Sequence, residues 1–208
     1  MSEEVPKREH ITKDIDKRTL NGFLGLFIHI ILFSIFNIIL LAIGAGVLLL
    51  LTVPLWFIYF NSYITIAPNE GVTVQYFGKY SGTVKSEGFH FFLNPLYSKQ
   101  KISLRIRNFE SAKLKVNDVN ANPIDIAAVV VWRVFDAAEA LFEVDHYSHY
   151  VQIQSEAALR AMATSYPYDI IEDKDIGGIA LSSHQEEIAE LLQASVEARL
   201  KRAGIEVL

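Results

Sequence analysis

Residues 19–69 contain no Asp, Glu, Lys or Arg, and no other feature limits this chain as much. A secretory signal has an apolar core of only about 7–15 residues, far shorter than this stretch. As a single helix rising about 1.5 Å per residue, residues 21–60 would be roughly 60 Å long, about twice the hydrocarbon core of a bilayer. Two spans of about 20 residues fit that thickness much better. The break falls at Ala42-Ile43-Gly44-Ala45-Gly46, where glycine supplies the backbone freedom a reversal needs. The expected division is therefore 21–41 and 44–63. Pro54 can kink the second segment, so a hairpin that crosses the bilayer and a shallow one that does not both satisfy the pattern.

Flanking charge sets the orientation. Lys7, Arg8, Lys13, Lys17 and Arg18 precede the first segment, and the turn carries neither Lys nor Arg. The positive-inside rule then keeps both ends in the cytoplasm, with residues 1–20 as a cytoplasmic tail and two spans in the cell membrane. Trp56, Tyr59 and Tyr63 fall near the inner end of the second segment, where amphipathic rings favour the interface. His29, Ser34 and Asn37 either line a polar path or hydrogen-bond between helices. Asn37, with Ala42 and Gly46 at small-xxx-small spacing, are the candidate span-packing residues.

Beyond Tyr63 the period changes. Val72, Val74 and Tyr76 alternate with Thr73, Gln75 and Phe77, and Ile102, Leu104 and Ile106 alternate with Ser103, Arg105 and Arg107, the signature of strands. The turn cluster 117–123 joins a strand at 113–116 to a β-branched run at 124–135, predicting a hairpin whose second strand is central. From Asp136 the period is helical. Asp136 and Asp145 are candidate caps, Ser183-His184-Gln185-Glu186 has capping-box spacing, and Gly204 is a candidate helix stop before a strand at 205–208. Ile188, Leu191, Leu192, Val196 and Leu200 form one helical stripe, which packs either on the domain's own sheet or between subunits. Strands first and helices afterwards predict an α+β domain.

These residues carry a resemblance. Ala67-Pro68-Asn69-Glu70-Gly71, Phe77-Gly78-Lys79-Tyr80, Glu87-Gly88-Phe89-His90 and Asn94-Pro95 resemble the first half of a band 7 domain, the domain of the stomatin, prohibitin and flotillin (SPFH) superfamily. Arg105-Ile106-Arg107-Asn108-Phe109, Pro123-Ile124-Asp125-Ile126, Val131-Trp132-Arg133-Val134, 154–160 and Tyr166-Pro167-Tyr168-Asp169 continue it in order, so that it covers residues 64–208. A double-span anchor before the domain is similar to a bacterial subgroup. The resemblance implies a band 7 domain of short antiparallel strands followed by helices, behind an N-terminal transmembrane helical hairpin. It implies a non-enzymatic scaffold that assembles with copies of itself and organises membrane lipids and partner membrane proteins, a membrane protease among them. Relatives continue into a long oligomerising helix, so assembly is expected to need a C-terminal extension that these 208 residues lack.

The chemistry-bearing residues are sparse. The chain has no cysteine, which excludes disulfides, thiolate catalysis and Cys-ligated metal. His146 and His149 beside Asp145 offer two metal ligands at best, with no third at a recognisable spacing. Gly177-Gly178 lacks the following Lys-Ser/Thr of a phosphate loop, and Glu172-Asp173-Lys174-Asp175 lacks the calcium-loop register. No metal, cofactor or catalytic residue is therefore expected. A membrane-bound serine hydrolase using Ser155 or Ser183 is the alternative class, and a channel or transporter component a third. The charge pattern says more. Lys79, Lys85, Lys99, Lys101, Arg105, Arg107, Lys113 and Lys115 face only Glu87 and Glu110, a local charge of +6 in a chain of net −5. This is either a membrane-proximal basic surface drawn to anionic lipid, at about 1 kcal/mol per residue, or a solvated strand face with Lys guarding an edge. Nucleic-acid binding is the third reading, which the strongly acidic remainder disfavours, so no nucleic-acid partner is expected.

Overall fold

Asn21 ends a two-residue strand, β1 (Leu20–Asn21), and caps the helix that follows, its side chain accepting from the Phe23 N–H at 2.9 Å. The computed structural model describes residues 13–169 and 179–208. The chain divides between two units, one made of residues 14–103 and one built on residues 104–208.

In residues 14–103, helix α1 (Gly22–Ala42) runs for 21 residues. It stops where Gly44 takes φ +74 and donates to the Leu41 carbonyl at 3.1 Å, a left-handed closure that glycine adopts without strain. One 3-10 turn (Gly46–Leu48) leads into α2 (Leu49–Tyr59), which contains Pro54, and a second 3-10 turn (Phe60–Ser62) ends it. Strands β2 (Tyr63–Ile66), β3 (Glu70–Tyr76), β4 (Lys79–Val84), β5 (Gly88–Phe91) and β6 (Tyr97–Ser103) follow. They form two antiparallel sheets, ordered β1-β5-β2 and β4-β3-β6. Between them Ile66, Val72, Val74, Val84 and Phe92 make the core, with Ile64 and Tyr97 against it. β3 is the central strand of its sheet and buries Val72, Thr73 and Val74 in succession, hence its weak alternation.

Residues 14–17, within the expected cytoplasmic tail, are tied to β4. The Thr83 N–H donates to the Ile15 carbonyl at 2.7 Å, and the Lys17 N–H donates to the Thr83 carbonyl at 2.9 Å, a parallel edge bridge. The Thr83 hydroxyl donates to Asp14, which also pairs with Lys85 at 2.7 Å. A Cβ at Gly82 would lie 2.9 Å from the Ile15 oxygen, so this edge closes only over glycine. One bridge imposes no period on the sequence, which is why composition did not reveal it.

The second unit contains β7 (Arg107–Glu110), β8 (Leu114–Asn117), β9 (Pro123–Ile126), β10 (Val129–Val134), α3 (Ala137–Phe142), α4 (Tyr147–Ser165), α5 (Gln185–Leu200) and β11 (Ile205–Val207). β10 is central in the sheet β11-β10-β7, while β8 and β9 pair as a hairpin. Three local expectations need correction. The strand drawn through 102–107 ends at Ser103 and resumes at Arg107 in a different sheet. The 124–135 run is two strands, broken where Ala128 exchanges hydrogen bonds with Ser111. Neither Asp145 nor Ser183 is an N-cap; His146 and His184 hold those positions without side-chain cap bonds. Asp136 does cap α3, accepting from the Glu139 N–H at 2.9 Å. Within the stripe of α5, Val196 and Leu200 are buried and α5 packs against α4 and β11, the sheet-packing arrangement. Glu172-Asp173-Lys174-Asp175 and Gly177-Gly178 lie outside the described residues.

Candidate membrane interface

Both ends of the apolar stretch are fastened to one strand. Leu20 and Asn21 pair with Phe91 and His90 on one side of β5, while Tyr63 and Ile64 pair with the same two residues on the other. Neighbouring strands lie about 4.8 Å apart, so the chain enters α1 and leaves α2 roughly 10 Å from itself. The first turns of α1 then lie across β5. A Cβ at Gly22 would overlap the Phe89 ring, and one at Gly25 would come within 2.7 Å of Phe91 Cγ. These two glycines are the close-packing residues of α1, and without the fold nothing distinguishes them from helix-weakening glycines.

α1 is long and apolar enough to cross a bilayer, at about 31 Å for its 21 residues. The second apolar stretch, Gly46–Ser62, is shorter, at about 25 Å. It folds back along α1 through aromatic contacts. The His29 ring lies 4.7 Å from Trp56 and 5.6 Å from both Tyr59 and Phe60, Phe33 lies 4.9 Å from Trp56, and His29 Nδ1 meets the Tyr63 hydroxyl at 3.1 Å. His29 is thus the polar residue joining the two segments. Of the candidate packing residues, Asn37 bonds its own helix, donating to the Phe33 carbonyl at 2.7 Å. Ala42 is exposed, and Gly46 sits in the turn with only ordinary contact to Leu41. Phe23, Leu24, Phe27, Ile38, Leu50 and Phe57 are more than half exposed, so the two apolar helices leave many large apolar side chains uncovered by the fold.

The eight cations divide between the two units, four in each. Lys85 pairs with Asp14, and Lys101 lies 3.8 Å from Glu70 and donates to the Thr65 carbonyl. Lys99 stands over the Phe92 ring at 5.5 Å, and burial pushes its pKa down. Lys79 is exposed at the start of β4. In the second unit Arg107 lies over Trp132 and Tyr147 and reaches Ser148, while Arg105, Lys113 and Lys115 are exposed.

The residues weighed for chemistry are dispersed. Ser155 is buried in α4 with its hydroxyl unpaired. Ser183 meets His184 Nδ1 at 2.9 Å, but the Ala180 N–H donates to the same nitrogen, and among the described residues no carboxylate orients the ring. His146 and His149 belong to no group of three His, Cys, Asp or Glu side chains suited to a metal among the described residues.

The family model described as SPFH domain / Band 7 family matches residues 64–208, beginning inside β2 and running through both units. The chain belongs to the SPFH domain / Band 7 family. No curated protein matches it significantly. The SPFH match starts after β1 and the 14–17 edge, so residues outside the family's span add a strand to one of the sheets and a single bridge to the edge of another.

Proposed function

We propose that this chain is a membrane-anchored, oligomeric scaffold in which residues 21–63 form a hairpin of two spans and the SPFH domain stands at the cytoplasmic face. There, copies of the chain gather membrane lipid and partner membrane proteins, a membrane protease being the partner class that the family resemblance suggests. The observation that carries this reading is the attachment of β1 and β2 to opposite sides of β5. Two strands in one folded sheet lie on one side of a bilayer, so a membrane-embedded segment between them must return to the side it left. The exposed apolar surface of α1 and α2 supplies the reason to embed. The five cations before α1 and the uncharged turn favour the cytoplasm for the domain. This reading assigns the chain no catalysis; its activity is assembly.

Because the native chain has no cysteine, single-cysteine labelling tests the topology. Ile43→Cys in the turn should react with an impermeant reagent from outside intact cells, and Ala112→Cys should react only after permeabilisation. Labelling of Ala112→Cys from outside, with Ile43→Cys protected until permeabilisation, would reverse the orientation. A turn inaccessible from either side would replace the two spans with a shallow hairpin. Release of the chain from membranes by alkaline carbonate would refute the anchor, and a C-terminally extended version that stays strictly monomeric and without partners in mild detergent would refute the scaffold.

A further inference from the structure

One edge of the β4-β3-β6 sheet gathers exposed apolar side chains and unmatched cations. β6 opens at Tyr97 opposite Tyr76, so the 92–96 loop and the β3–β4 turn share that edge. Phe77, at φ +47 in the turn, is 80% exposed, Leu93 75% and Leu96 55%. Phe77 and Gly78 both take positive φ, as a two-residue hairpin turn requires, and the turn holds a bulky ring out to solvent, which is costly in water. The loop is tied to the exit of the apolar stretch: the Phe92 N–H donates to the Ser62 carbonyl at 2.9 Å, and Asn61 Nδ2 donates to the Pro95 carbonyl at 2.6 Å.

The cations sort by whether a carboxylate already meets them. Lys85 has Asp14 and Lys101 has Glu70. Among the described residues Lys17, Lys79 and Lys99 pair with none. Lys17 Nζ instead donates to Ser81 at 2.6 Å and the Tyr97 hydroxyl at 3.2 Å, Lys99 Nζ stands over Phe92, and the Phe92 and Tyr97 rings lie 6.1 Å apart. Lys79 is opposite Tyr76, itself paired with Tyr97. These three lysines therefore adjoin the exposed apolar rim. We propose that this edge docks on anionic lipid, with Phe77, Leu93 and Leu96 entering the acyl boundary and Lys17, Lys79 and Lys99 meeting headgroup phosphates. The proposal rests on residues 21–63 being membrane-embedded. A phosphate oxygen is the anionic partner these ammonium groups lack among the described residues, and burial that disfavours the charged form of Lys99 makes an added anion more favourable there.

The full chain in detergent micelles is offered equimolar phosphatidylglycerol and phosphatidylcholine, and the retained lipid is counted by native mass spectrometry. Retention should favour phosphatidylglycerol. Each lysine contributes about fivefold to binding at an anionic surface, so the Lys17→Gln/Lys79→Gln/Lys99→Gln set should lower the preference at least tenfold. Lys85→Gln/Lys101→Gln should leave it nearly unchanged, although it removes charge from the same unit. Should the triple variant fail to fold, Lys79→Gln alone, at an exposed position, should lower the preference about fivefold. Equal losses in the paired and unpaired sets, no initial preference, or displacement of the lipid by millimolar inorganic phosphate would each overturn the proposal. Flotation with pure phosphatidylcholine liposomes reads the anchor separately. A chain that floats but shows no headgroup preference defeats this inference alone, and one that does not float defeats the membrane reading.

Discussion

Gly25 and Phe91 are in contact so close that a Cβ on the glycine would lie 2.7 Å from the ring. The contact fixes the first turns of α1 to β5 and so makes the apolar helix part of the folded domain rather than a tethered appendage. Gly25→Val should force the ring aside or lift the helix, at about 1–3 kcal/mol. A lower unfolding temperature in detergent, partly restored by adding Phe91→Ala, is the expected result. No change in unfolding temperature would show that helix and strand move independently.

Asp118 organises the β8–β9 turn. Its nearly buried carboxylate accepts from the N–H groups of Asn120, Asn122 and Tyr168 and from the Asn122 side chain, at 2.7–3.0 Å. Burial pushes its pKa up, but these bonds to the charged form outweigh that and leave it lowered. A lowered folded-state pKa stabilises the fold above the unfolded value, near 3.9, and that contribution is lost as pH falls through the folded value. Asp118→Asn should therefore melt earlier than the parent at pH 7, and the two melting curves should converge below about pH 4. A constant gap across that range would assign the loss to packing instead.

The charge on Lys99, unlike that on Asp118, costs stability at neutral pH. With its pKa lowered by burial, the unfolded chain binds more protons between the folded value and the ordinary 10.5, so stability rises with pH in that window. Lys99→Met should be more stable than the parent at neutral pH in a zwitterionic detergent. The advantage should shrink as pH approaches 10.5, and thermal melts at stepped alkaline pH would measure it. Equal melting temperatures at neutral pH would mean that the charge is already compensated.

Ser155 separates a scaffold from a hydrolase. Its hydroxyl is buried without a partner, so Ser155→Ala removes an unsatisfied polar group and should leave stability unchanged or slightly raised. A serine-reactive fluorophosphonate should label neither protein. Labelling that disappears with Ser155→Ala or with Ser183→Ala would establish an activated nucleophile.

Element types were largely legible before the fold was known. The hairpin at 114–126, the cap at Asp136, the stripe ending in Val196 and Leu200, and the strand after Gly204 follow from short-range rules. The breaks at 104–106 and 127–128 were not legible, because a strand that changes sheets keeps its alternation across the gap. Charge counting had grouped eight cations by position in sequence; side-chain pairing divides them by what they meet. Lys17 lay outside that group, and only its reach across Gly82 to Tyr97 brings it to the sheet edge.

By itself, then, the sequence determined a long apolar stretch without a charged residue, followed by an α+β domain, since both follow from composition and local period. Tertiary structure alone decided that both ends of that stretch bind β5 and that Gly22 and Gly25 seat α1 on it. It likewise decided which lysines are left without a carboxylate. Pairing across a sheet joins residues distant in sequence, here Asn21 to His90 and Ile64 to the same His90, and no local pattern records such a partner.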